Sequence, residues 1–192
     1  IGAVDGALYA GCFIGAALVQ CLALPVLLGM PKLAVEVREK QGRPISAFLR
    51  LPAFRLALCS AALGYAVMSF LMTAVPLQIV NVSLLGEALN ARVIQWHVIA
   101  MFAPSFFTGS LITRFGIRAI MSAGFLLYLA GIIVALSGLQ FWYYFATLFF
   151  VGIGWNFLYI SGTSLVTLVT EPEERGRVQG VTDMAVFTAV AC

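Results

Sequence analysis

Asn156 stands in an apolar stretch between Trp155 and Tyr159, with Ser161 and Thr163 just beyond. An amide in such surroundings must find a hydrogen-bond partner, which is either another helix or a bound ligand. Together with Trp155 and Tyr159 it makes a candidate solute-binding wall. His97, the only histidine, follows Gln95 and Trp96 about one turn inside another apolar run. Its ordinary pKa near 6.5 would suit a proton switch, whereas a place near the end of the run suits a hydrated, structural imidazole. Gln95 and His97 are kept as further candidates for solute contact. A hydrolytic centre has no support, since a single histidine with no nearby carboxylate supplies neither a nucleophile and base nor a metal cluster. Cys12, Cys21, Cys59 and Cys192 all fall in apolar runs without metal-ligand spacing, so they are expected to be small buried hydrophobes rather than disulfides or zinc ligands. Neither a metal nor a cofactor is expected, and the chain carries no nucleotide-binding P-loop motif.

The elements that must position these residues are long apolar runs of about 18 to 25 residues, the length a helix needs to cross a bilayer core of roughly 30 Å. Apolar residues make up 62% of the chain and charged ones 10%, against about 45 to 50% and about 25% in soluble domains. That excess predicts an all-α, polytopic membrane bundle embedded in a lipid bilayer. Spans are expected over about 7–30, 54–75, 94–113, 119–136 and 141–165, with a last one starting near Gly180 and cut short by the chain end. Gly11 and Gly15 in the first have the spacing of close helix contact. Residues 77–93 read as a mixed, partly helical connection whose Gln78 and Asn81 are accounted for by solvation. Pro31 to Leu51 is a charged loop whose later apolar residues, Phe48 and Leu49 among them, suit a membrane interface. Phe141 to Tyr144 form an aromatic interface belt. Starting at Ile1 and stopping within an apolar run, the chain reads as an internal piece of a longer protein.

Every Lys and Arg except Arg92 falls on one side of the membrane if the loops alternate, and the positive-inside rule makes that side cytoplasmic. The net charge of +3 is small and spread over separate clusters, which excludes a nucleic-acid surface.

The segment Gly109-Ser110-Leu111-Ile112-Thr113-Arg114-Phe115-Gly116-Ile117-Arg118 resembles the short cytoplasmic loop signature of the major facilitator superfamily, in the copy joining the eighth and ninth helices. Gly109, Leu111, Arg114, Gly116 and Arg118 fit it, while Thr113 replaces the usual Asp and Ile117 a frequent base. Glu171 to Arg177, with Glu174 and Arg175, resembles the loop between the tenth and eleventh helices. On its own terms the first segment offers glycines for tight turns and close packing, and arginines for helix C-termini or carboxylates. Charge pairs between the two loops would hold one conformation and break in the other. Equally, the arginines would serve as topology anchors on lipid phosphates.

The resemblance implies residues 1–30 as the last helix of an N-terminal bundle, 31–51 as the inter-bundle loop, and 52–192 as a C-terminal bundle lacking its end. It further implies a multi-pass protein of the bacterial inner membrane that moves a small organic solute by rocking of two bundles, driven by a proton gradient, with the missing N-terminal helices as partner. Drug efflux and uptake of a vitamin-like flat heterocycle both remain open, as does a transporter-like sensor or assembly partner that binds without moving its ligand.

Overall fold

A computed structural model of the protein describes residues 10–30 and 42–191, all of whose regular elements are helices. Residues 1–39 and 40–192 are separate compact units. In the first, α1 (Ala10–Cys21) and α2 (Ala23–Leu28) meet at Leu22. Pro25 has no N–H to give the Cys21 carbonyl, which accounts for a break where one unbroken span was expected. Residues 31–41, most of the expected inter-bundle loop, lie outside the described residues.

The second unit holds α3 (Ile45–Arg50), α4 (Pro52–Asn81), α5 (Glu87–Phe102), α6 (Ser105–Phe115), α7 (Ile117–Ala135), α8 (Phe141–Val169) and α9 (Arg175–Ala191). Three of these, α4, α7 and α8, are long and apolar enough to cross a membrane, and the bent pair α5–α6 makes a fourth. The pair bends by 42° at Pro104, whose missing N–H leaves the Ala100 carbonyl without its helical donor. The expected span over 94–113 is therefore two helices, and it starts earlier, at Glu87.

Two further boundaries differ from expectation. Rather than stopping near Pro76, α4 runs through it to Asn81, because Val75 and Ile79 on either side of the proline are buried against Val93, Tyr144 and Leu148. The tertiary contact holds the helix where local propensity would end it, and the mixed connection shrinks to residues 82–86. Phe48 is fully buried against Phe54, Ala57, Val166 and Val178. Helix α3 thus clamps onto the bundle and leaves only Leu49 of that pair exposed.

Buried residues of α4 recur as Phe54, Ala57, Ala61, Gly64, Met68, Val75 and Ile79, a three-four spacing that presents one stripe to a neighbour. Of the three long spans α8 is the most buried, and α4, α5, α6, α7 and α9 all pack on it. Its glycines explain how it receives so many neighbours. A Cβ on Gly152 would meet the Ala100 side chain and the His97 carbonyl at 2.9 Å. One on Gly154 would meet the Gly124 carbonyl of α7 at 2.9 Å, and one on Gly162 the Ala57 carbonyl of α4 at 3.1 Å. Each glycine admits a different helix, as packing in lipid requires when dispersion rather than the hydrophobic effect joins helices. Cys21 and Cys59 are exposed on the outer faces of their helices, contrary to the buried role expected of them; lipid supplies the apolar surroundings there.

Candidate functional site

The three-four stripe of α4 and the broad buried face of α8 bring four helices together around one aromatic cluster. Trp155 and Tyr159 lie one turn apart on α8, their rings stacked at 5.0 Å and 9°. Tyr65 of α4 stands edge-on to both, at 5.7 Å from Trp155 and 6.2 Å from Tyr159. Phe102 of α5 meets Trp155 at 6.2 Å, and Phe187 of α9 meets Tyr65 at 6.2 Å. Met68, Met101 and Met121 pack behind the rings. Trp155 and the methionines are buried, Tyr65 and Tyr159 half-buried, and Phe102 and Phe187 exposed, so the cluster has a packed floor and an open rim. The indole N–H of Trp155 is buried with no acceptor among the described residues. Flat π-surface of this kind stacks planar rings, each pair adding about 0.5–1.5 kcal/mol beyond simple burial.

Asn156, next in sequence to Trp155, points elsewhere. Its Nδ2 donates to the Met101 carbonyl at 2.7 Å and to Ser105 Oγ at 2.6 Å. Its Oδ1 accepts from Thr108 Oγ1 at 2.6 Å, and the one hydroxyl hydrogen of Thr108 is shared with the Pro104 carbonyl at 2.8 Å. The amide is 1% exposed. It braces the bend between α5 and α6, supplying a donor where the helical ladder is interrupted. Of the two partners open to it, helix and ligand, the structure gives it the helix.

His97 is fully buried in the seam between α5 and α8, where its Nδ1–H donates to the Leu148 carbonyl at 2.6 Å. That is a dry site rather than the hydrated one expected, and Nε2 has no partner among the described residues. Gln95 lies on the exposed face of α5, away from His97. Of the five candidate contact residues, the structure therefore brings together Trp155 and Tyr159 and sets Asn156, His97 and Gln95 apart from them.

In the loop signature, Gly116 alone joins α6 to α7, at φ +84°. Only glycine adopts that conformation without strain. Gly109, expected in a tight turn, is instead mid-helix with open space around its Cα, and it accepts a bond from Thr113 Oγ1 at 3.0 Å. Leu111 is half-buried; Arg114 and Arg118 are exposed, Arg114 lying over the Phe115 ring at 5.2 Å.

Glu174, expected to face these arginines, pairs with Arg43. Arg43 Nη2 meets Glu174 Oε2 at 2.7 Å, and the Arg43 backbone N–H and Nε both reach Oε1. Arg43 also donates to the Val169 carbonyl at the end of α8 and lies over Phe48 at 4.5 Å. Arg177 donates to the Arg43 carbonyl, while Arg175 is exposed. The Arg43 hydrogen bonds hold the Glu174 carboxyl down to about 2, and the same contact raises the Arg43 guanidinium. The clasp ties the segment before α3 to the α8–α9 turn.

A cavity of about 770 Å³ forms a separate groove between α4 and α7, lined by Leu63, Val67, Phe125 and Leu129 with Ser60 and Arg118 at its polar points. None of the aromatic cluster except its backing Met121 lines it, and its apolar walls suit hydrocarbon or a helix rather than a polar solute. Residues that sequence reasoning passed over are Tyr65, Phe102, Phe187 and Asp183. Asp183, a lone carboxylate in an apolar run, was visible as such; the aromatics were not, because their meeting depends on how four helices rotate against one another.

Comparison with known proteins places the chain clearly. The family model described as Major Facilitator Superfamily matches residues 6–191. The riboflavin transporter RfnT of Brucella anthropi is 43% identical over 98% of this chain and 48% of its own length. Two uncharacterized MFS-type transporters of Bacillus subtilis also match. YdeG is 40% identical over 49% of this chain and 22% of its own length, and YddS 32% identical over 64% and 28%. The chain thus spans less than half the length of these relatives. No solved structure matches it significantly.

Proposed function

This chain belongs to the major facilitator superfamily, and on that premise we propose that the protein moves a small, flat, riboflavin-like heterocycle across the bacterial inner membrane. The observation that carries the reading is the aromatic cluster, in which the stacked pair Trp155–Tyr159 is framed by rings from three other helices. A planar tricyclic ring buries apolar area against such a floor and gains from edge and face contacts, while a compact charged solute would lose its hydration there. The riboflavin transporter among the relatives supports the vitamin-like class over drug efflux. A binder that does not transport has no specific observation in its favour. Alternating access then exposes the open rim of Phe102 and Phe187 to one side of the membrane at a time.

The test uses the full-length protein in sealed vesicles preloaded or bathed with riboflavin. Saturable flux above that of protein-free vesicles is expected, and it should grow when a pH difference is imposed if a proton gradient drives it. Absence of flux with folded protein in both orientations counts against the reading.

A further inference from the structure

Asp183 is a carboxylate without a charged partner among the described residues. It lies about 12 Å along α9 from Arg175, near the level at which a helix reaches mid-membrane. Among the described residues it makes no ion pair, and its Oδ1 accepts one bond, from Gln179 Nε2 at 2.9 Å. A carboxylate at such depth is costly and tends to have a purpose. Its position supplies one. Gln179, Asp183 and Phe187 follow at intervals of four and so share a face of α9, next to the stripe of Val178, Thr182 and Val186 that is buried in the bundle. Phe187 on that face touches Tyr65 of the aromatic cluster. The carboxylate is therefore at the rim of the aromatic cluster, half-exposed.

We infer that Asp183 and Gln179 form the polar end of the solute site and read an imide edge on the bound heterocycle. This rests on the reading that the aromatic cluster holds the planar ring. Having given one oxygen to Gln179, Asp183 keeps the other as a strong acceptor for the imide N–H. Gln179 has spent one amide hydrogen on Asp183 and keeps the second for the adjacent imide carbonyl. Donor and acceptor lie side by side, matching N–H and C=O in an imide and mismatching any ring that carries an alkyl group on that nitrogen. Specificity follows because an acceptor covered by the bound ring and left unpaired costs more than a made bond contributes.

The experiment titrates the full-length protein with riboflavin and with its N3-methyl derivative, following quenching of flavin fluorescence. The wild type should bind riboflavin at least about tenfold more tightly, as expected for a hydrogen bond to a charged group. Asp183→Ala should bring that ratio close to one by weakening riboflavin alone, and the near-isosteric Asp183→Asn should fall between. Equal binding of both flavins by the wild type overturns the assignment while leaving the aromatic site standing. So does an Asp183→Asn variant that discriminates as the wild type does and has lost only the pH dependence of flux, which would make Asp183 a proton carrier. Binding of neither flavin by folded wild-type protein defeats the heterocycle reading itself, and this inference with it.

Discussion

Asn156 and Tyr159 are three residues apart on one helix, yet their side chains have different duties. Asn156 spends every donor and acceptor it offers on Met101, Ser105 and Thr108. Asn156→Ala removes those bonds and leaves the interrupted helix without its brace, so it should lower stability by about 2 kcal/mol or more. Thermal unfolding in detergent checks this, and flavin affinity of the protein that remains folded should change little. His97→Gln should leave the pH dependence of flux intact, because the imidazole joins α5 to α8 and has no access to water. A lost acid response would give His97 a coupling role. The sequence made these side chains stand out, since a polar group in an apolar run is visible in one dimension. It could not tell brace from binding site. The partner of Asn156 is a bend made by a proline in a helix far off in sequence, and which face of α8 meets that bend is decided by packing.

Helix packing here is set by the glycines of α8 and by the turn at Gly116. Gly152→Val would drive its branches into Ala100 and the His97 carbonyl, already at 2.9 Å from an added Cβ. A loss of about 1–3 kcal/mol is expected from such overpacking, measurable as a lower unfolding temperature. Gly116→Ala meets no atoms but forces a side chain onto φ +84°, so it should cost roughly 1 kcal/mol through backbone strain alone. The Arg43–Glu174 clasp has a defined pH window. Glu174 has its carboxyl lowered from 4.5 to about 2, so the clasp contributes in full above about 4.5 and is lost as pH falls through about 2. Near neutrality its contribution should be flat with pH, and Glu174→Gln should remove the acid limb of a stability profile without altering the neutral one's slope. Element boundaries were the less legible part of the sequence. Pro76 reads as a stop, and only the burial of Val75 and Ile79 carries α4 past it. Pro104 interrupts the helix as a proline should, because the chain bends there instead of packing straight.

On the scale of the whole molecule, the long apolar runs and the two loop signatures were enough to indicate an all-helical membrane bundle of this superfamily. The Lys and Arg asymmetry further predicts that a cysteine placed at Glu87 labels from outside the cell and one at Glu171 from inside. Both positions are exposed. The solute site could not be read in the same way, because its rings come from α4, α5, α8 and α9 and no single segment contains it. That assembly is the central claim: a stacked pair of rings on α8, framed by three helices, holds a flat heterocycle. The most direct measurement is a flavin-quenching titration of the full-length protein against Tyr159→Leu and Tyr65→Leu. Each ring is worth about 1 kcal/mol of stacking or more, so each variant that remains folded should bind riboflavin at least about fivefold more weakly and the pair together more weakly still. Riboflavin affinity equal to the wild type in both variants would contradict the account.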